Sequence, residues 1–280
     1  MKLKAITWNL FHGRDAPPDR SLWTWRSRLT GRAESNPTHR QVNRDLTADF
    51  IEVLHRNTTP PHAQGAKPDW DLALLQECPP RWVSALAKAC GAQAHLALTS
   101  RNSLSAIRAA VAKINPDLVA SAEGGSNLTL ARPRAGAVVL RRELILTRRT
   151  ERRVMAFTEL SSGLCVANLH ATNDRPTRAA DELMRAAETA SRWAKERPLI
   201  FGGDFNLRPD ESPGAFAELN ESYGLSPPTG PGKIDHLLSR NLEIVRPPAA
   251  WPSTAREVAE DGLAVRLSDH APVGATYATL

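Results

Sequence analysis

The sequence reads PLIFGGDFNLR from Pro198 to Arg208, and the rest of the chain is best understood from this stretch. Its short apolar run, bounded by a proline and two glycines, predicts a buried strand. If the chain stays extended past the glycines, Asp204 and Asn206 point to the same side, because side chains alternate faces along a strand. A carboxylate beside a carboxamide can hold a hard metal ion, orient a water molecule, or both. A turn rich in Asp, Asn and Gly is the alternative interpretation.

The composition is that of an ordinary globular protein, with 41% hydrophobic and 24% charged residues. A chain of 280 residues can bury a full hydrophobic core, and we expect one domain over residues 1–280. Lysine and arginine number 36, and aspartate and glutamate 30, so the formal net charge is +6. A moderately basic surface suits polyanions such as nucleic acid without requiring them.

The cysteines and the N-terminus bear on the compartment. Cys78, Cys90 and Cys165 are scattered and odd in number, which favours a reducing environment. No stretch is long and apolar enough to span a bilayer. The N-terminal apolar run is short and is interrupted by Asn9 and His12, so it indicates a first strand instead of a signal peptide. We therefore expect a cytoplasmic protein that does not engage a membrane, and no protein partner can be inferred.

Hydrophobic patterning predicts alternating strands and helices. Strands are expected at Leu3–Asn9, Trp70–Glu77, Gln93–Leu98, Asp117–Ala122, Asn127–Ala131, Ala135–Leu146, Arg153–Leu160, Leu164–His170 and Lys233–Ser239. Helices are expected at Thr38–Asn57, Pro79–Cys90, Ser103–Ile114 and Thr177–Glu196. Leu10–Asn36 and Arg246–Gly262 are predicted to be irregular, and the last segment is Leu263–Tyr277.

The irregular insertion at about residues 10–36 combines tryptophans with arginines. Trp23 and Trp25 lie near Arg20, Arg26, Arg28 and Arg32. One interpretation is a surface insertion whose tryptophans pack onto the core. The other is a cover that stacks on bases and contacts phosphates.

Six predicted strand or segment ends carry polar residues suited to metal or phosphate chemistry. They are Asn9, Glu77, Asn168 with His170, Asp204 with Asn206, Asp235, and Asp269 with His270. Ligand sites of layered α/β proteins commonly lie at strand ends. We therefore expect one shared rim to which several strands deliver side chains.

The motifs around these residues carry a family resemblance. They are TWN (Thr7–Asn9), LQE (Leu75–Glu77), NLH (Asn168–His170), GDFN (Gly203–Asn206), IDH (Ile234–His236) and SDH (Ser268–His270). In this order they resemble the endonuclease/exonuclease/phosphatase superfamily, the DNase I-like group of metal-dependent phosphodiesterases, over the whole chain. The resemblance implies an α/β fold with four layers: two mixed β-sheets packed face to face, with helices outside.

The resemblance also implies roles for these residues in the hydrolysis of phosphate esters. Glu77 would be the main ligand of Mg²⁺, or of Mn²⁺ in its place, supported by Asn9 and Asp269. Asp204 and Asn206 would position and polarise the attacking water.

An Asp–His pair, Asp235 with His270, resembles the family's general base, although Asp204 is a rival proton acceptor. His170 matches a phosphate-binding histidine. Asn168 is placed among the substrate-binding residues, where it would orient its neighbours. Asn127 resembles an asparagine that contacts phosphate, although Leu128–Ala131 departs from the family's usual sequence.

Several further residues have two interpretations. Arg175 and Arg178, at the start of a predicted helix, either bind an anion or are a solvated helix end. The run Arg148, Arg149, Arg152 and Arg153 is either a solvated face or a track for the DNA backbone. His12 and His236 flank the motifs and suit packing as well as function.

Fold alone does not choose the substrate. Abasic-site endonucleases of this group carry an acidic residue where this chain has Phe11, which argues against that subfamily. The basic balance and the Trp/Arg insertion favour an intracellular nuclease or phosphodiesterase acting on DNA or RNA. A small-molecule phosphatase of the same fold is the alternative, and a non-catalytic binding module is the third interpretation.

Overall fold

A computed structural model describes residues 2–30, 32–56, 69–99, 125–148 and 151–279, together with residues 107, 110, 111 and 115. The strands of the described residues are β1 Lys2–Asn9, β2 Glu34–Ser35, β3 Arg40–Gln41, β4 Leu72–Gln76, β5 Gln93–Leu98, β6 Ser126–Ala131, β7 Val138–Thr147, β8 Arg153–Leu160, β9 Cys165–His170, β10 Leu199–Asp204, β11 Asp235–Arg240, β12 Leu242–Ala250, β13 Glu257–Glu260, β14 Leu263–Arg266 and β15 Val273–Thr279. The α-helices are α1 Trp25–Thr30, α2 Thr47–His55, α3 Val83–Cys90, α4 Pro176–Ala194 and α5 Pro213–Tyr223.

Two mixed sheets form the centre of the molecule. The first sheet has the strand order β12-β15-β1-β4-β6-β5. Among its described strands, β1 and β4 are the only neighbours that pair in parallel. The second sheet has the order β11-β10-β9-β8-β7, with β9 and β10 parallel. Helix α4 connects these two parallel strands, as a parallel pair requires a crossover.

Alternation along β1 shows how the layers arise. Leu3 and Ala5 are buried between the two sheets, where they pack with Ile200 of β10. Ile6 and Trp8 point to the other face, and Trp8 packs against Phe50 of α2 with ring centroids 4.9 Å apart.

The second sheet is covered in the same way. Phe157 and Phe201 lie under the apolar face of α4, which contributes Leu183 and Ala187. Helices therefore lie outside two sheets that face each other, and the predicted four-layer arrangement is confirmed.

The predicted helix Thr38–Asn57 is wrong in its first half. Arg40–Gln41 is a short strand that pairs with β2, and α2 begins only at Thr47. Asp45 Oδ1 accepts a hydrogen bond from the Thr47 backbone amide (2.8 Å) at this helix start. Val42 and Leu46 are buried although they precede the helix, so their apolar spacing imitated a helical face.

The predicted irregular segment Arg246–Gly262 is also wrong, because it contains the end of β12 and all of β13. Strand β12 includes Pro247 and Pro248, lies at the edge of its sheet and has register shifts, which is where prolines are tolerated. Leu10–Asn36 likewise contains short elements, among them α1 and β2. The predicted strand Asp117–Ala122 lies outside the described residues, and most of the predicted helix Ser103–Ile114 does too.

Among the described residues, no helix combines the length and apolar character needed to cross a membrane.

A buried histidine between the sheets makes stability depend on pH. His95 of β5 is 4% exposed, and its Nδ1 lies 2.8 Å from Thr158 Oγ1 of β8. Burial, together with the charge of Arg141, lowers the pKa of His95 to about 4. In the unfolded chain His95 is protonated below about pH 6.5, whereas in the folded chain it is protonated only below about pH 4. The free energy of unfolding therefore falls as the pH drops through this window.

His95→Asn keeps a group that can bond Thr158 but does not titrate. Between pH 6.5 and 4, we expect the free energy of unfolding of this variant to fall by about 3 kcal/mol less than that of the wild type. Urea unfolding at both pH values measures this. An unchanged pH dependence would show that His95 is not buried in its neutral form.

Candidate active site

Strand register brings the predicted residues of the second sheet together. Asp204, the last residue of β10, is paired with His170 of β9 on one side and with Asp235 of β11 on the other. On the facing sheet, Asn9 ends β1, and Glu77 directly follows β4 beside it. The ends of five strands thus meet at one rim.

The glycine before Asp204 allows two backbones to approach closely. Gly203 has φ +137°, and a Cβ added there would lie 1.9 Å from the Leu169 carbonyl oxygen. Only glycine fits this position of β10.

We expect Gly203→Ala to destabilise the protein by at least about 3 kcal/mol, because it combines backbone strain with a clash against backbone. The matched control is Gly214→Ala in the first turn of α5, where a Cβ has open space. That change is expected to be neutral or to stabilise by up to about 1 kcal/mol. Urea unfolding of both variants tests this, and equal midpoints would contradict it.

Asp204 is the hub of the cluster. Its carboxylate is 1% exposed and accepts from Asn9 Nδ2 at Oδ2 (3.0 Å) and from the Asn206 backbone amide at Oδ1 (3.0 Å). The Nε2 atoms of His170 and His270 lie 3.4 Å and 3.8 Å from the same Oδ2. Asn206 has φ +51° and donates its side-chain amide to the Ala171 carbonyl, which fixes the loop after β10.

His270 is held on three sides. Its Nδ1 lies 2.7 Å from Asp235 Oδ2, and its backbone amide donates to Ser268 Oγ (3.0 Å). Ser268 Oγ in turn donates to the Asn9 carbonyl (2.6 Å), and Trp8 Nε1 donates to the His270 carbonyl. The SDH and TWN motifs are therefore joined by direct hydrogen bonds.

Burial and neighbouring charges set the protonation of the pair. Burial raises the pKa of Asp204 to about 7, with Asp235 adding to it and His270 opposing it. Burial alone would lower the pKa of His270, but the carboxylates of Asp235 and Asp204 outweigh it and raise that pKa to about 10. Near neutral pH, His270 is an imidazolium, and Asp204 is the group that can exchange a proton.

Glu77 and the ring of His170 face each other across the rim. Glu77 Oε1 lies 3.9 Å from His170 Nδ1, and Oε2 lies 3.1 Å from His12 Nε2. The Glu77 side chain is 20% exposed, so its carboxylate can be reached from solvent.

Arg153, assigned by sequence to a solvated or DNA-tracking basic run, is buried at this site. It is 4% exposed, and its Nη1 donates to His170 Nδ1 (2.9 Å) while Nη2 binds Glu151. A guanidinium can only donate, so His170 Nδ1 accepts and its proton resides on Nε2, toward Asp204. Burial, with the charge of Arg153 adding, lowers the pKa of His170 well below its ordinary value, so this ring is neutral.

The comparison with known proteins agrees with this geometry. The model of the endonuclease/exonuclease/phosphatase family matches residues 6–270. The chain belongs to the endonuclease/exonuclease/phosphatase family. A search of curated proteins gives no significant match.

Solved structures share the fold at low sequence identity. A protein of this family from Bacteroides thetaiotaomicron is 15% identical, with a TM-score of 0.60, covering 99% of this chain and 95% of its own. A mannosyl-6-phosphatase from B. thetaiotaomicron VPI-5482 is 15% identical, with a TM-score of 0.58 and 98% coverage of both chains. TDP2 from Caenorhabditis elegans is 13% identical, with a TM-score of 0.56, covering 100% of this chain and 75% of its own.

Two of the residues predicted to bind substrate lie between the sheets, away from the surface of this family site. Asn168 is fully buried, and its Oδ1 accepts from Gln76 Nε2 (2.8 Å). Asn127 is also fully buried, and its Nδ2 donates to the Val154 carbonyl (2.6 Å). Asn168 thus joins the sheets next to His170, which accounts for an orienting role and not for direct contact with substrate.

The remaining predicted residues differ in exposure and in their contacts. Arg175 is exposed at the residue before α4, whereas Arg178 is half-buried and donates to Thr147 Oγ1 (2.8 Å). Asp269 is half-exposed, with Oδ1 3.8 Å from His270 Nε2. His236 is buried, with Phe205 and Phe216 rings about it, and serves packing.

Part of the insertion forms a wall beside Asn9. The Phe11 amide donates to Asn9 Oδ1 (2.9 Å), and the Phe11 and Trp23 ring centroids are 5.6 Å apart. The Arg14 guanidinium lies 4.1 Å from the Phe11 ring centre. Trp23 is therefore half-buried against its neighbours, and the side chain of Trp25 lies outside the described part.

The donor atoms of this site fit a divalent cation. Asp204, Asp235 and His270 offer ligand atoms that all lie within 4.8 Å of one another. Asp235 Oδ1 is buried without a hydrogen-bond partner among the described residues, and the Glu77 carboxylate adds a second, partly exposed donor. Carboxylate oxygens suit Mg²⁺ and also Mn²⁺.

Proposed function

We propose that residues 1–280 form one domain that hydrolyses phosphodiesters with a divalent cation, and that nucleic acid is its substrate. The observation that carries this is the buried Asp204 carboxylate, with His170 and His270 both within 3.8 Å of one of its oxygens. An acceptor of raised pKa beside two imidazoles is suited to activating water next to a phosphate.

The residues divide the work by charge. Asp204, with a pKa of about 7, takes the proton of the attacking water. The His270 imidazolium, oriented by Asp235, stabilises negative charge that develops on the phosphoryl oxygens. Neutral His170 donates a hydrogen bond from Nε2 to the same phosphoryl oxygens. A divalent cation would be held by Glu77, supported by Asp269, and would supply Lewis-acid stabilisation of that charge.

Nucleic acid is supported by the distribution of charge. The net charge is +6, and the insertion exposes Arg20, Arg26 and Arg32, with Arg175 exposed at the start of α4. Backbone phosphates are bound by such arginines. The three cysteines are buried and form no disulfide in the described part of the chain. This supports the cytoplasmic location that we propose.

A sugar phosphatase is the second candidate. The wall of Phe11, Trp23 and Arg14 beside Asn9 would close one side of a small pocket. Among the proteins with this fold is a mannosyl-6-phosphatase.

The test is cleavage of supercoiled plasmid and of labelled single- and double-stranded DNA and RNA oligonucleotides, with Mg²⁺, Mn²⁺ or EDTA. Bis(p-nitrophenyl) phosphate and mannose 6-phosphate are assayed alongside, with His270→Ala as the inactive control. We expect metal-dependent cleavage of nucleic acid that the variant lacks. Hydrolysis of the sugar phosphate alone would favour the second candidate, and no hydrolysis of any substrate would contradict an enzyme.

A further inference from the structure

A second histidine contacts the proposed metal ligand. His12 lies in the turn after β1, and its Nε2 is 3.1 Å from Glu77 Oε2. The His12 side chain is 9% exposed, so this contact is shielded from water.

The backbone is strained on both sides of the contact. Phe11, His12 and Glu77 have φ values of +50°, +53° and +49°, in the left-handed region that favours glycine. A non-glycine residue persists in this conformation only where the surroundings hold it. Two of these residues, His12 and Glu77, are the ones whose side chains meet.

The ring has one polar partner among the described residues. A carboxylate only accepts hydrogen bonds, so a hydrogen bond across this 3.1 Å contact requires the proton of His12 to reside on Nε2. His12 Nδ1 is buried and makes no hydrogen bond with any residue that the structure describes. Within the described part of the chain, Glu77 is therefore the polar side chain that this imidazole contacts.

A comparable pair elsewhere in the chain is bound differently. His39 Nε2 lies 3.3 Å from Glu257 Oε1, and its Nδ1 lies 2.9 Å from Thr38 Oγ1. Both ring nitrogens of His39 have partners, and the pair lies beside β13, which contributes nothing to the site described above. The His39–Glu257 pair therefore provides a matched control for substitutions of His12.

We propose that His12 is a positioning residue for Glu77: its Nε2–H donates to one carboxylate oxygen and holds Glu77 in the orientation that binds a divalent cation. This rests on the proposed function, in which Glu77 binds the cation. Hydrogen bonds to ligating carboxylates fix their orientation, and their loss costs about 10- to 100-fold in metal affinity.

Isothermal titration calorimetry of the full chain with Mn²⁺ tests the proposal. His12→Phe keeps the ring volume and removes the donor, and His12→Leu is the second non-donor variant in case the larger ring does not fit. We expect both to bind Mn²⁺ about 10- to 100-fold more weakly. His12→Gln retains a side-chain N–H and is expected to recover most of the affinity, whereas His39→Leu is expected to match the wild type.

The outcomes separate this proposal from the proposed function. If Glu77→Gln abolishes Mn²⁺ binding while both non-donor variants stay within about threefold of the wild type, the role of His12 is overturned and the role of Glu77 stands. If the wild type binds no Mn²⁺, or Glu77→Gln binds it normally, the role of His12 and the role of Glu77 as a metal ligand are both overturned. If His12→Gln binds Mn²⁺ as weakly as His12→Phe, packing of the ring and not its hydrogen bond supports Glu77. This result also overturns the role of His12.

Discussion

Asp204→Asn is expected to lower kcat on bis(p-nitrophenyl) phosphate by about 10³- to 10⁴-fold while the protein stays folded. Both carboxylate oxygens are in use, Oδ1 by the Asn206 amide and Oδ2 by Asn9. An amide offers one acceptor oxygen, so one of these bonds is lost. The amide also cannot take a proton from water, which removes the step that we assign to Asp204.

The pH dependence gives a second measurement. Below its pKa of about 7, Asp204 holds a proton and cannot accept another. Wild-type kcat is therefore expected to rise with pH through about 7, and the residual activity of the variant is expected to lack this rise.

Asp210→Asn is the matched control. Asp210 lies six residues further along and accepts a hydrogen bond from the Gly232 amide at the surface. Its kcat is expected to equal that of the wild type, with melting temperatures confirming that all proteins are folded. A kcat for Asp204→Asn within tenfold of the wild type would contradict the assignment of Asp204 as proton acceptor.

The fold was predictable where the sequence pattern reflects one face of a regular element. The strand around Leu199 and the helix starting near Thr177 have such patterns, and both form close to the expected bounds. The helix at Thr38–Asn57 was overextended because Val42 is buried by tertiary contact and not by helical periodicity. Burial gives a loop residue the same apolar character as a helix residue, and sequence alone does not separate the two.

The site was predictable where each strand ended in a distinctive polar residue. Asp204, His170 and Asp235 are neighbours because the register of β9, β10 and β11 aligns their ends. Arg153 carried no such signal, because it opens a strand within a run of arginines that resembles a solvated face. In the sequence, only the predicted start of a strand at Arg153, with Arg152 before it, distinguishes the two arginines.

The buried side chain of Arg153 is the basis of the second prediction with a large effect on kcat. Arg153→Met is expected to lower kcat by about 10²- to 10³-fold, because His170 Nδ1 loses its only donor among the described residues. The proton of His170 can then move to Nδ1, toward Glu77 Oε1 at 3.9 Å. Nε2 would face Asp204 and the substrate without a hydrogen to donate.

Arg152→Met is the matched control for this change. Arg152 precedes Arg153, and its Nη2 lies 3.9 Å from Glu143 on the neighbouring strand β7. The same substitution there is expected to leave kcat on the aryl phosphodiester unchanged. Arg153→Lys, which keeps a donor and a positive charge, is expected to recover part of the lost activity.

The protonation of the two His170 ring nitrogens shows directly whether a change of tautomer causes the loss of activity. In ¹⁵N NMR spectra of the wild type we expect a neutral His170 protonated at Nε2, and in Arg153→Met a shift toward the Nδ1-protonated form or toward the imidazolium. The second change is expected because removing a positive charge raises the pKa of this buried ring. A variant that loses activity while His170 stays protonated at Nε2 would show that Arg153 acts on substrate instead of through His170. The kinetic loss and the tautomer must change together if the guanidinium works by fixing which nitrogen carries the proton.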